Sequence, residues 1–315
     1  MRRAITILLI VAASVLLFTG AAAKVFLSIA TGSTAGTYYP LGGAMAEIIN
    51  KGVPNVNATA VATGASVANL NGLAEDEFQM VISQNDVTYY AYTGTELFVK
   101  SRPMYNLRGI ACLYNETVQI VTLANSGIKA LADLKGKKVV VGQIGSGTEV
   151  NARQILAAVG LTYDDINEQY QSFGEAANSL RDGNIDAAFN TAGEPTAAIR
   201  DIAAQKDIYL IPVPADVAKK LTSKYSYYFT YKIPKDTYPK QTADVETIVV
   251  KAMLVVKDSI SNDMAYNITK ALFSPAGLER LGLAHAKGKL ISKATALDGM
   301  SILLHPGAER FYKEK

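Results

Sequence analysis

Apolar positions along this chain keep two periods, and the switch between them occurs twice in the same order. A β-branched run from Val25 to Ala30 leads through GSTAGTYYPLG into a segment where Leu41, Ala44, Met45, Ile48 and Ile49 keep helical spacing. Val139 to Val141 lead through GQIGSGTE into Ala152, Ile155, Leu156 and Val159, spaced the same way. Each unit continues with a short polar strand, a small helix around an Ala-Asn pair (Ala68-Asn69; Ala177-Asn178) and a further strand (Gln79 to Ile82; Ile185 to Phe189). The repeat predicts an α/β protein with two related lobes facing one another across a cleft. Two helix N-termini then meet one small anionic ligand from opposite sides.

Between and after the repeats, other runs set the connectivity. Val118 to Leu123 reads as a strand leaving the first lobe, and Leu131 to Lys138 as an amphipathic turn opening the second. The second lobe ends near Ile208 to Ile211 and a helix from Ala215 to Leu221. Val245 to Val256 is a long β-prone run, and helical spacing resumes over Ala265 to Phe273 and Ala276 to Leu283. Two strand-like crossings, near Val118 and near Tyr227, are expected to form a hinge. The expected division is a discontinuous first lobe, 24–118 plus 232–315, and a second lobe, 119–231.

At 315 residues the chain has room for two medium α/β domains. An apolar content of 49% with 19% charged residues fits a well-packed globular protein. The net charge of +3 is spread along the chain with no basic block, so nucleic acid is not an expected partner. Arg2 and Arg3 precede an apolar run from Ala4 to Phe18 and a small-residue step at Ala21 to Ala23. That is the plan of a secretory signal peptide over residues 1–23, the run being short of the roughly 20 apolar residues that span a membrane. No cysteine ends the run, so an unlipidated protein free in a periplasm is expected. Cys112, the sole cysteine, lies within the apolar segment Ile110 to Leu113 and reads as a buried small side chain.

The candidate chemistry lies at helix starts and strand ends. Gly32 to Pro40 offers Ser33, Thr34, Thr37, Tyr38 and Tyr39 beside a helix start. An ordinary N-cap accounts for one hydroxyl there and leaves the others to a ligand. Ser146, Gly147 and Thr148 form the matching loop, where a cap before Glu149 competes with close approach of backbone amides to a carboxylate. Ser66, as cap, and Asn69 mark a third helix start. Gln84, Asn85 and Asp86 follow a strand, as do Asn190, Thr191 and Glu194 in the second lobe; such positions line crevices in α/β sheets or are solvated turns. Of the tyrosines from Tyr225 to Tyr231, Tyr228 is the candidate to reach a ligand. Asp86 would suit an ammonium group and repel a pure dicarboxylate.

Enzyme readings lack their residues. Neither glycine loop is GxGxxG or GxxxxGK[ST], and Thr34 stands where a GxSxG nucleophile belongs. His285 and His305 are the only histidines, without metal-ligand spacing to carboxylates, and Asp182 to Asp186 lacks the later glutamate of a calcium loop. No catalytic residue, metal or cofactor is expected.

The segments GSTAGTYYPLGGAMAEIIN, ATGASVANLNGLAEDEFQMVISQND, VVVGQIGSGTEVNARQIL, IDAAFNTAGEP and LLHPGAERFYKE together span nearly the whole chain after the leader. In them the chain resembles the TAXI group of extracytoplasmic solute receptors serving tripartite ATP-independent periplasmic (TRAP) transporters. The resemblance implies a type II periplasmic-binding-protein fold, a solute such as glutamate, glutamine or a related dicarboxylate, and delivery to membrane subunits driven by an ion gradient. It also implies that the first-loop hydroxyls and tyrosines, Ser66, Asn69 and Ser146 to Thr148 belong to the cleft, and that His305 is structural or docking. The chain departs from other TRAP receptors in offering no arginine clearly placed to grip a carboxylate; Arg153 reads as a solvated helix residue. A monomeric receptor is expected, with a receptor of an ATP-driven importer, or an enzyme on the same scaffold, as alternatives.

Overall fold

Two long strands organise the molecule: β4, Leu107–Leu123, and β10, Val245–Lys257, pair antiparallel along most of their length. The computed structural model describes residues 24–314; the expected leader, 1–23, lies outside them. Ahead of β4 come β1 (Val25–Ala30), α1 (Tyr38–Gly52), β2 (Val56–Val61), α2 (Ser66–Ala74), β3 (Met80–Gln84) and α3 (Asn85–Thr93). Between β4 and β10 lie β5 (Lys138–Gly142), α4 (Gly147–Ala158), β6 (Asn167–Tyr170), α5 (Phe173–Arg181), β7 (Ala187–Ala192), α6 (Ala197–Ala203), β8 (Ile208–Ile211), α7 (Ala215–Lys224) and β9 (Phe229–Ile233). Helices α8 (Asn262–Leu272), α9 (Pro275–Ala284) and α10 (Pro306–Lys313) end the chain.

The strands run in the order β2-β1-β3-β10-β4-β7-β5-β6. In the first lobe β1 pairs parallel with β2 and β3, and β10 closes the edge of β3 antiparallel. In the second, β5 pairs parallel with β6 and β7, and β4 closes β7 antiparallel. The duplication in the sequence is therefore a duplication in the sheet, and the fold is the two-lobed mixed α/β arrangement the motifs predict. Apolar side chains pack on the two faces of each half. Leu41, Met45 and Ile49 of α1 join Ile268 of α8 and Leu254 of β10, whereas Ile155 of α4 joins Val139, Phe189 and Ile248.

The crossings differ from expectation in one place. The second crossing lies along β10, not near Tyr227. Thr230 and Tyr231 pair with Ile248 and Thr247 inside the second lobe, and Tyr238 packs there among Val121, Ile199 and Leu210. The reason is length, since β10 spans 13 residues and reaches both lobes while the five-residue β9 reaches one. Where β10 passes from lobe to lobe its register on β4 shifts, Lys251 facing Asn115 and Met253 facing Cys112. A bulge of this kind bends its strand and re-aims the side chains beside it.

Leu254 is fully buried between α1 and α8, on the strand both lobes share. Leu254→Ala is expected to cost about 2–5 kcal/mol, read from urea unfolding; a loss well under 1 kcal/mol would mean that this face of β10 is not a core.

Candidate functional site

Helix starts from the two lobes face one cavity. Thr37, the N-cap of α1, makes no cap; its hydroxyl donates to the Gly193 carbonyl of the other lobe at 2.9 Å. In α4 the Ser146 hydroxyl accepts from Glu149 N–H at 3.1 Å. The N–H groups of Tyr38, Gly147 and Thr148 keep no protein partner among the described residues. Such groups carry the positive end of the helix dipole and favour an anion. The cavity is small: about 30 Å³ is open to the centres of water-sized molecules, room for two or three waters at ~10–15 Å³ each.

Of the residues expected at the cleft, Ser33, Tyr38, Ser66, Gln84, Ser146, Gly147 and Thr148 line this cavity. Ser66 does so without capping: Ala65 holds the N-cap position at φ 72°, and the Ser66 hydroxyl accepts from Gln84 N–H at 3.1 Å. The start of α2 is not open to a ligand either, because Val67 and Ala68 N–H both donate to the Gly145 carbonyl at 3.0 Å, tying the lobes together. A Cβ on Gly147 would collide with the Gln84 amide, so glycine there lets the start of α4 approach the first lobe.

Other expected residues lie elsewhere. Thr34, within the turn closed by Gly36 N–H on the Ser33 carbonyl at 2.9 Å, faces solvent, and so does Tyr39, one residue past Tyr38 on α1. Asn69 is wholly buried, but its amide donates to the Thr31 and Ile82 carbonyls at 2.6 and 2.8 Å and so ties the end of β1 to β3. Asn190 is buried on β7 and does not line the cavity. Asp86 and Tyr228 belong to a contact between lobes. Asn151 of α4 donates to the Asp86 carboxyl at 3.0 Å and to the Tyr228 hydroxyl at 2.7 Å, and Tyr228 donates to Gln154 at 2.6 Å.

Sequence reasoning missed Glu116. It sits on β4 at the bulged crossing, 2% exposed, and lines the cavity. Its two oxygens accept from the hydroxyls of Tyr38, at 3.0 Å, and Tyr114, at 3.1 Å. Burial pushes its carboxyl up to about 8, opposed by these hydroxyls and the Gln84 amide and reinforced by the charge of Asp86. Thr37, Gln143, Phe173 and Thr191 complete the polar and aromatic lining. The one available signal was a lone acid in a long strand whose only other charged residue is Arg108 near its start.

A second contact between lobes is a buried ion pair. Lys287, from the C-terminal segment, donates to Glu194 at 2.6 Å with about 5% of each side chain exposed. Glu194 also accepts from the Tyr231 hydroxyl at 2.8 Å and from the Thr117 hydroxyl. Elsewhere, Arg153 pairs with Glu149 at 3.2 Å on an exposed helix face. His305 caps α10, accepting from Gly307 N–H at 3.1 Å, and is fully buried. Cys112 is buried in the first lobe, its thiol pushed up to about 12 by burial.

A bilobed sheet bridged by two shared strands, with a polar cavity at the helix starts between the lobes, defines the periplasmic-binding-protein class of fold. The chain belongs to the NMT1-like family, whose pattern matches residues 29–315. Among solved structures it resembles a protein from Bordetella bronchiseptica RB50, at TM-score 0.57 and 18% identity, over 92% of this chain and 82% of that one. It also resembles a periplasmic transporter, at TM-score 0.54 and 13% identity over 94% and 93%. The aliphatic sulphonate binding protein SsuA of Escherichia coli follows at TM-score 0.46 and 17% identity over 87% and 83%.

Burial raises the Asp86 carboxyl from 3.8 to about 6. Its neutral form is the one the folded protein favours, so the stability it contributes is full below about pH 4 and is lost as pH rises through about 6. Asp86→Asn is expected to gain melting temperature relative to the parent over that interval, followed by calorimetry without solute. Parallel melting curves would show that Asp86 stays ionised in the folded protein.

Proposed function

We propose that the chain is a monomeric periplasmic receptor of a TRAP-type, ion-gradient-driven transporter, binding one small carboxylate-bearing solute such as glutamate, glutamine or a related dicarboxylate. The observation that carries this reading is the pair of helix starts, α1 and α4, presenting unpartnered N–H groups to one buried cavity from opposite lobes. A carboxylate held there touches both lobes only when they are closed, so binding stabilises the closed form, with β4 and β10 taking up the motion. Ser33, Tyr38, Ser66, Gln84 and Ser146 to Thr148 are its contacts in this proposal. The TRAP assignment is supported by the sequence motifs, and the leader-like segment supports export.

Thermal-shift screening of amino acids, dicarboxylates, keto acids and neutral sugars is the direct test, because a solute that binds only the folded state raises its stability. Saturable shifts with carboxylates are expected, weakened about tenfold or more in Gly147→Ala, where the added methyl displaces Gln84. Shifts with sugars alone would overturn the carboxylate assignment. Uptake into vesicles bearing the membrane subunits should require an ion gradient; dependence on ATP would replace the TRAP assignment with an ATP-driven importer.

A further inference from the structure

We propose that Glu116 selects the solute by receiving its ammonium group, so that the receptor prefers a small zwitterionic amino acid to the keto acid of the same skeleton. This rests on the carboxylate reading above and narrows it.

The cavity mixes hydrogen-bond donors with unpaired acceptors. At the helix starts it offers donors, the N–H groups of Tyr38, Gly147 and Thr148. Its other polar groups are the Glu116 carboxyl, Gln84 Oε1, which lies against Gly147, and the Thr191 hydroxyl beside Thr148; the last two have no protein partner among the described residues although Gln84 is 2% and Thr191 5% exposed. Buried acceptors left unpaired are costly, and an ammonium group brings three donors to such a set. A carboxylate placed against Glu116 would bring further acceptors and, once Glu116 is ionised, like charge.

The surrounding charges leave Glu116 without a counterion. Tyr38 on α1 and Tyr114 on β4 give it hydroxyl hydrogen bonds, and both phenols are held well above their ordinary range by burial and by Glu116. Asp86 on α3 adds negative field. Glu194, after β7, acts on Tyr114 and is already matched by Lys287. Neither lysine nor arginine lines the cavity among the described residues. The solute is then the cation that ionises Glu116. Its carboxyl stands at about 8 without that cation, so binding at pH 7 releases a proton and affinity rises with pH until it levels off above about 8.

The test compares common amino acids with their 2-oxo counterparts, such as L-glutamate with 2-oxoglutarate and L-alanine with pyruvate, by calorimetry at pH 6, 7 and 8 in buffers of different ionisation enthalpy. The wild-type protein is expected to bind the amino acid of a pair at least tenfold more tightly, with proton release at pH 7. Glu116→Gln, whose fold is checked by its melting temperature, should lose roughly 10- to 100-fold in amino-acid affinity together with the pH slope, with a distinctly smaller loss for the oxo acid. Equal or tighter binding of oxo acids by the wild-type protein would overturn the inference and leave the carboxylate reading standing. So would a Glu116→Gln protein with unaltered amino-acid affinity and pH slope. If no carboxylate of either kind binds, the carboxylate reading fails as well.

Discussion

The pairing of β4 with β10 is the constraint on which the rest of the molecule depends. Each lobe is a parallel three-stranded unit whose open edge must be covered, and each long strand covers the edge of one lobe while pairing with the other long strand. Parallel units leave their strand ends and following helix starts on one side. Joined edge to edge through an antiparallel pair, the two units present those sides to one another. The facing of α1 and α4 is thus a result of sheet topology, and no loop has to create it.

Electrostatics then divides the cleft. Helix starts supply fixed partial positive charge at no side-chain cost, whereas Glu116 and Asp86 are carboxyls removed from water and held upward in pKa by burial. The two kinds of group are matched differently between lobes. Asp86 is held by the amide of Asn151 with its second oxygen unpaired among the described residues, while Glu194 has a full partner in Lys287. Removing one member of that buried pair leaves an uncompensated charge, which is why such a pair fixes a geometry more than it adds stability.

Elements with strong periodicity were legible in the sequence. The repeat of strand, glycine loop and helix from Val25 and from Val139 led directly to the two lobes, because alternating periods and glycine loops are local properties. The loops also pointed to Ser33, Tyr38 and Ser146 to Thr148 at the cavity. What sequence could not show was direction. Tyr38 and Tyr39 are adjacent, yet helical rotation sends one into the cavity and the other to solvent. Asn69 looked like a ligand residue and instead satisfies the carbonyls of Thr31, just past β1, and Ile82 in β3, a demand visible only once β1 and β3 are aligned. Glu116 was hidden for a different reason. A lone acid in a long strand carries no motif, and its importance comes from Tyr38, 78 positions away in the chain.

The bulge beside Glu116 lies where β10 and β4 pass between lobes. The segment proposed to bend as the lobes close therefore also holds the buried acid that lines the cavity. Divergence within such a scaffold is consequently not modular: a change at this position that admits a new solute also alters the mechanical joint, and descendants would have to retune chemistry and flexure together.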